Sequence, residues 1–116
     1  MKLIIYGKNL DLTPSIKAFV ERKINSISKF LKPAENDLAE ARVEIGKPSK
    51  HHKSGFVYYG EVNLRIGSRL FRAVAEHLDL YVAIDLARDE IERQIKEYKE
   101  RNRQARRVPK NLESRK

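Results

Sequence analysis

The sequence predicts an α+β fold, in which two amphipathic helices pack on one face of a four-stranded sheet. Two segments, residues 14–32 and 80–105, place apolar side chains at the spacing of a single helix face. Strand-forming residues are frequent in the shorter segments 2–7, 38–46 and 56–77, and the last of these is predicted to form two strands. The predicted element order is therefore β-α-β-β-β-α, and the chain of 116 residues suits one core.

The first helix carries clear end signals. Thr13 can cap it, Pro14 fits the first helical position, where a missing N–H is harmless, and Pro33 is expected to end it. Lys23 falls inside the apolar face, so it is either a packed lysine whose amine reaches solvent or a residue that binds a partner. The apolar face consists of Ile16, Phe19, Val20, Ile24, Ile27, Phe30 and Leu31, and the opposite side carries Arg22, Lys29 and Lys32.

The strands that follow are defined by alternation and by turn residues. In residues 38–46, Ala41, Val43 and Ile45 alternate with charged side chains, which indicates a half-buried strand. Residues 47–55 form a loop by composition. The last two strands meet at the dipeptide 67–68, where a leading glycine favours a type II′ hairpin turn.

The second helix is predicted to begin at Leu80, after the capping residue Asp79, and to run to about residue 105. Arg88 lies off its apolar face, so we expect charge reversal there to leave the domain folded. Because acidic residues lie near Arg88 on the same helix, the sequence leaves two roles open for it: it binds a partner, or it only forms ion pairs that stabilise the helix. Beyond residue 95 the cations outnumber the carboxylates, which favours phosphate binding. One flank of the helix gathers Tyr81, Arg88, Lys96, Lys99, Arg103 and Arg106.

The net charge of +9 is concentrated in two segments, 47–53 and 101–116. Such clustering favours a polyanionic partner, although a solvated surface with a frayed basic tail would give the same totals. We expect a folded domain over residues 1–105 and a basic, flexible tail over 106–116.

Several classes of protein are not favoured. The chain has no cysteine, no apolar run near the ~20 residues of a membrane span and no signal-peptide pattern, so we expect a cytoplasmic protein. It has no nucleophile–base set and no phosphate loop. The adjacent His51 and His52 lack further ligands at metal spacing. We therefore expect no enzyme activity, no cofactor, no metal and no small-molecule substrate.

Two segments carry a family resemblance. The stretch "EHLDLYVAIDLARDEIERQI" resembles the ribosome hibernation factors, also called ribosome-associated inhibitors or sigma-54 modulation proteins. The opening "LIIYGKNLDLTPSIKAFVERKI" resembles the family's first strand and helix, and Lys23 stands where members carry Lys or Arg. The resemblance covers about residues 2–100. The positions that match the first motif are Asp79, Leu80, Tyr81, Ala83, Ile84 and Asp85, followed by Arg93, Gln94 and Ile95.

The resemblance implies a fold similar to double-stranded-RNA-binding domains, with an extra first strand. It also implies binding in the mRNA and tRNA channel of the small ribosomal subunit, which stops translation by occlusion while preserving idle ribosomes. Ribosomal RNA and ribosomal proteins would be the partners, and we expect a monomer off the ribosome. The predicted RNA-binding residues are Arg22, Lys23, Lys29, Tyr81, Arg88, Arg93, Lys96, Lys99, Arg103 and Arg106.

Some features depart from the family. Long members carry a second domain that joins ribosomes into dimers, for which this chain leaves no room, and its tail is basic where some short members have acidic tails. Whether it affects ribosome dimerisation stays open. The basic loop suggests an extra RNA contact through Lys47, Lys50, His51, His52 and Lys53.

Two alternatives to ribosome binding stay open. One is a general RNA-binding module that recognises A-form helices by shape. The other is a protein of the membrane surface, which is disfavoured because the apolar face of the basic helix is already needed for the core. Tyr81 has two readings as well, since it either stacks on a base or ribose or packs beside the sheet.

Overall fold

The protein is described by a computed structural model, which covers the backbone of residues 1–48 and 57–114 and the side chains of 1–48 and 57–105. The α+β class is confirmed, with one four-stranded sheet and helices on one of its faces. The elements are β1 (Lys2–Lys8), α1 (Pro14–Asn25), a 3-10 helix (Ser26–Phe30), α2 (Pro33–Leu38), β2 (Ala39–Gly46), β3 (Tyr58–Ile66), β4 (Arg69–His77) and α3 (Leu80–Ser114).

The sheet has the strand order β1-β2-β3-β4. β1 runs parallel to β2, because α1 crosses over between them, while the other neighbouring pairs are antiparallel. The register pairs Val43 with Val62 and Leu64 with Phe71, so one face of the sheet is continuously apolar. The alternate residues of the same strands face away from the helices, and we call that surface the outer face.

The core lies between the apolar face of the sheet and the helices. Val43, Val62 and Leu64 on the strands are almost completely buried, as are the isoleucines of α1, the 3-10 helix and α3. Each such side chain contributes about 1.5–3 kcal/mol by leaving water. The buried helical isoleucines at its centre are Ile24, Ile27, Ile84, Ile91 and Ile95.

The hairpin between β3 and β4 has the predicted two-residue loop. Ile66 pairs with Arg69 across it, and Gly67 has a φ of +61°. Ser68 has no positive φ, which fits a type II′ turn, since that turn needs a left-handed residue only at its first position.

The region after the first helix differs from the prediction. α1 ends at Asn25, a 3-10 helix follows to Phe30, and Pro33 begins the short helix α2. Pro33, which was expected to end the first helix, instead occupies the first position of the next one. The side chain of Glu35 accepts a hydrogen bond from the backbone N–H of Lys32 at 2.7 Å, which caps α2. A six-residue helix is too short to show a periodic pattern.

The last helix is longer than predicted. α3 runs from Leu80 to Ser114, past the end expected at residue 105. Its second half is rich in Lys, Arg, Glu and Gln, which are good helix formers, so no local signal ends it at 105. The prediction of a flexible basic tail over 106–116 is untested and stays a prediction.

Candidate nucleic-acid interface

The first half of α3 lies beside α1 and the 3-10 helix, and most of the predicted RNA-binding residues line the junction. A close approach between α3 and the sheet positions this junction, because a Cβ on Gly60 of β3 would lie 3.3 Å from the backbone oxygen of Ala83. We call the junction the helix seam. It consists of Phe19, Arg22, Lys23, Ser26, Lys29, Phe30, Tyr81, Asp85, Arg88, Asp89, Glu92 and Lys96.

One end of the helix seam is organised around Phe19. The ring of Tyr81 meets it edge-on with centroids 4.7 Å apart, and the Cζ of Arg22 lies 5.3 Å from its centroid. Lys23 Nζ lies 5.4 Å from the same centroid and 3.0 Å from Oδ1 of Asp85. Tyr81 thus packs on a neighbouring ring and is still 39% exposed, so packing does not remove it from solvent.

The other end is organised around Phe30 of the 3-10 helix. Lys29 Nζ, Lys96 Nζ and Arg88 Cζ lie 5.3, 4.9 and 5.8 Å from its ring centroid. Each cation at such a distance gains about 0.5–1 kcal/mol from the face of the ring. Lys96 Nζ also lies 2.7 Å from Oε2 of Glu92, which is an i,i+4 ion pair along the helix. Phe30 therefore gathers cations from both sides of the seam.

The prediction that Arg88 lies on a free flank of the helix is wrong. Its side chain is covered by the 3-10 helix, and the residue is only 8% exposed. The Nε donates to Oγ of Ser26 at 3.0 Å, and an Nη donates to Asp89 at 3.1 Å and to Glu92. Removing the partners of such a buried charge costs about 3–5 kcal/mol. Arg88 therefore joins α3 to the 3-10 helix.

Arg93 lies on a different flank of α3. Five residues on from Arg88, it is turned by about 140° around the helix. It pairs with Glu90 and Glu97. The hydrogen bond from Arg93 lowers the pKa of Glu90 to about 2.

The predicted residues further along α3 are separated from the helix seam. Lys99 Nζ lies 2.9 Å from Oε1 of Glu35 on α2, and Arg103 pairs with Glu100. Arg106 is in the helix, but its side chain lies outside the described part. In the predicted basic loop, Lys47 Nζ is 5.5 Å from the ring centroid of Tyr58. The rest of that loop prediction, namely Lys50, His51, His52 and Lys53, lies outside the described residues.

The ion pairs leave the cations of the helix seam accessible to a stronger ligand. Arg22 and Lys29 are exposed, and no carboxylate of the described residues lies within ion-pair distance of either. Exposed pairs such as Lys96 with Glu92 contribute only about 0–1 kcal/mol. A phosphate group, which accepts charge-assisted hydrogen bonds, can therefore compete for these cations.

Phe19 and Phe30 of the helix seam are predicted from the sequence only as part of the apolar face of the first helix. Phe19 and Phe30 are half-buried and hold cations on their exposed sides. The spacing of three and four residues from Phe19 to Arg22 and Lys23 is a sequence signal that could have identified this role. No local signal joins Phe30 to Lys96, because these residues meet only in the folded chain.

Other kinds of site are not evident in the described part of the chain. No three His, Asp or Glu side chains there are grouped so as to hold a metal ion. None of the described helices combines the length and the apolar character that crossing a membrane requires.

Comparison with known proteins gives the family. Residues 3–103 match the model of the family described as sigma 54 modulation protein / S30EA ribosomal protein. A ribosome hibernation promotion factor of Staphylococcus aureus (strain COL) is 31% identical over 103 residues, which are 88% of this chain. Those residues are 50% of the relative, so the chain spans about half of its length.

Solved structures agree with this match. The N-terminal domain of Protein Y from Thermus thermophilus is 27% identical, with a TM-score of 0.70 over 84% of this chain and 99% of that domain. A ribosomal subunit interface protein from Coxiella burnetii shares the fold at 19% identity, with a TM-score of 0.69 over 85% of this chain and 98% of that one. None of these descriptions names an enzyme. The chain belongs to the sigma 54 modulation protein / S30EA ribosomal protein family.

Proposed function

We propose that this protein is a ribosome hibernation factor, which binds the ribosome, inhibits translation and preserves idle ribosomes. Membership of the family and the similarity to a ribosome hibernation promotion factor support this proposal. The binding site is the mRNA and tRNA channel of the small subunit, as the family resemblance of the sequence implies. The protein acts there as a monomer, in the cytoplasm and without a cofactor.

The observation that carries the proposal is the arrangement of the helix seam. Exposed cations from α1, the 3-10 helix and α3 lie around two aromatic rings, on elements that pack against one core. Phosphate groups of folded RNA are the natural ligands of such a surface, because binding releases their counterions. Contacts of this kind provide affinity and orientation with little reading of sequence.

Occlusion is the mechanism that such a surface performs. Arg22 and Lys29 contact RNA phosphates directly, while Lys23, Lys96 and the more distant Arg93, Lys99 and Arg103 exchange a carboxylate for a phosphate. Arg88 contributes by holding the two sides of the helix seam together. A compact domain held in this way fills the channel, and mRNA and tRNA are excluded by its volume.

Sedimentation and translation assays test the proposal. On sucrose gradients at about 50 mM salt, we expect the protein to migrate with small subunits and whole ribosomes, and to leave them as salt is raised. Preloading the ribosomes with mRNA and tRNA should reduce binding, and the free protein should inhibit cell-free translation.

The same assays identify the alternatives. Equal binding to ribosomes and to an equal mass of duplex RNA would indicate a general RNA-binding module. Binding that preloaded mRNA and tRNA leave unchanged would contradict occlusion of the channel. A protein that stays at the top of the gradient at low salt would contradict ribosome binding itself.

A further inference from the structure

A second feature with ligand-binding character lies next to the helix seam, towards the end of the β3–β4 hairpin. The end of the β3–β4 hairpin, the segment before α2 and the middle of α3 enclose a cleft of about 180 Å³. Phe71 and Ile95 form its buried floor, and the half-buried Leu31 and Ile66 line its walls. We call it the hairpin cleft.

The rim of the hairpin cleft is cationic. The guanidinium carbon of Arg69 lies 4.0 Å from the ring centroid of Tyr98, so the two groups are stacked. Within the described part of the chain, no carboxylate lies at ion-pair distance from Arg69. Lys99, on the same rim, is balanced by Glu35. The rim therefore carries one charge more than its own carboxylate neutralises.

The charge of Arg69 also bears on the phenol of Tyr98. The polar side chain of Asn102 and the guanidinium of Arg69 lower the pKa of Tyr98. The guanidinium is held at the entrance by the ring of Tyr98, and its other face is available to a ligand.

The size and chemistry of the hairpin cleft define the class of ligand. Its volume is below the roughly 300–1,000 Å³ of sites that enclose whole small molecules, so it accommodates one group of a larger partner. Apolar walls beside an exposed guanidinium plane suit an unstacked nucleobase, and the cations suit the phosphate attached to it. An apolar protein side chain would fill the walls and leave the rim charge unanswered.

We propose that the hairpin cleft binds one unpaired nucleotide of ribosomal RNA, with its base between Leu31 and Ile66 and its phosphate at Arg69 and Lys99. This inference rests on the proposed function, since the ribosome supplies the RNA. It adds a specific contact at a place where the helix seam provides only general attraction to phosphates. The two surfaces adjoin along α3, where Lys96 of the helix seam and Lys99 of the hairpin cleft are three residues apart.

Photocrosslinking on ribosomes tests this inference. Azidophenylalanine is placed at Leu31 or at Ile66, inside the hairpin cleft, and as a control at Leu70, which is 52% exposed on the outer face. Both cleft variants should crosslink to ribosomal RNA and give a reverse-transcription stop at the same unpaired nucleotide. The control should not give that stop.

A matched pair of substitutions adds a binding readout. Arg69→Met and Arg65→Met each remove one exposed arginine, from the hairpin cleft and from the outer face respectively. We expect the affinity for small subunits to fall by about fivefold or more for Arg69→Met, and to stay within about twofold for Arg65→Met. Thermal unfolding of both variants checks that the fold is kept.

The outcomes separate this inference from the proposed function. Crosslinks to a ribosomal protein from both cleft positions would assign the hairpin cleft to a protein side chain and overturn the inference. Absence of RNA crosslinks from both positions, in variants that still co-sediment with ribosomes, would overturn it and leave the proposed function intact. Failure of the unmodified protein to co-sediment would overturn both.

Discussion

The helix seam and the outer face of the sheet are both charged, but they distribute their charges differently. On the outer face, Arg42 pairs with Glu40 at 3.2 Å, and Arg72 pairs across the strands with Glu61 at 2.7 Å. Along the helix seam, cations from α1, the 3-10 helix and α3 collect around Phe19 and Phe30. The outer face pairs two of its arginines within the sheet, whereas Arg22 and Lys29 of the helix seam stand beside aromatic rings with no carboxylate of the described residues at ion-pair distance.

The difference follows from local geometry. Cross-strand neighbours lie close enough for opposite charges to pair directly, so a strand surface tends to be balanced residue by residue. Two helices meet along a line, where side chains from both elements accumulate and aromatic rings can hold cations without neutralising them. Whether charged residues can bind a partner therefore depends more on the secondary-structure element that carries them than on their number.

The largest expected effect concerns the buried cation of the helix seam. Arg88→Glu should destabilise the protein by about 3–5 kcal/mol, because it places a carboxylate against Asp89 and Glu92 and removes the bond to Ser26. Arg88→Met should be far milder, since an apolar side chain of similar shape suits the covered site. Urea denaturation measures both. Equal, small effects of the two substitutions would show that Arg88 is not a structural link.

A pair of aromatic substitutions compares the two surfaces directly. Phe30→Ala should cost about 2 kcal/mol, roughly half of a fully buried Phe→Ala change, and should also weaken ribosome binding because three cations lose their common ring. Tyr59→Phe on the outer face removes the 2.7 Å hydrogen bond to Glu44 and should cost about 1 kcal/mol. Its ribosome affinity should not change. A loss of affinity in Tyr59→Phe would implicate the outer face in binding.

Acid should loosen the helix seam through Glu92. Hydrogen bonds from Lys96 and then Arg88 lower the pKa of Glu92 below its ordinary value of 4.5. The folded state therefore gains stability from the ionised group above about pH 4.5, and loses it as the pH falls below that value. Melting temperatures measured from pH 6 to pH 2.5 should fall less steeply in Glu92→Gln than in the unchanged protein. Parallel curves would exclude Glu92 as a contributor.

The smallest expected effect is on the outer face. A double-mutant cycle with Arg72→Met and Glu61→Gln should give a coupling of about 0.2–1 kcal/mol, because both groups are partly exposed to water. Chemical denaturation of the four proteins provides the values. A coupling well above this range would mean that the outer face is held together more strongly than a solvated sheet surface.

Much of the fold followed from periodicity. The six major elements, their order and the hairpin turn were predicted correctly, because strands and helices bury one face at spacings of two and 3.6 residues. The short α2 and the 3-10 helix were missed, since neither is long enough to show a period. The position of α1's end depends on the packing of the 3-10 helix against α3, which is a tertiary effect.

The candidate site was less predictable than the fold. Arg22 lies on the exposed side of α1, as its place in the helix period predicts. The burial of Arg88 and the pairing of Lys99 with Glu35 join residues more than 60 positions apart, and no local pattern contains that information. The two motifs that carry the family resemblance both lie within the matched range 3–103.

The central claim is that the helix seam, and not the outer face, binds ribosomal RNA. The direct test is the salt dependence of small-subunit binding for two variants of equal charge, Arg22→Glu with Lys29→Glu and, as the control, Lys2→Glu with Arg65→Glu. All four side chains are exposed. The account predicts that the seam variant loses about tenfold or more in affinity and about two units of salt slope, while the control keeps both. Equal losses in the two variants, or none in the seam variant, would contradict it.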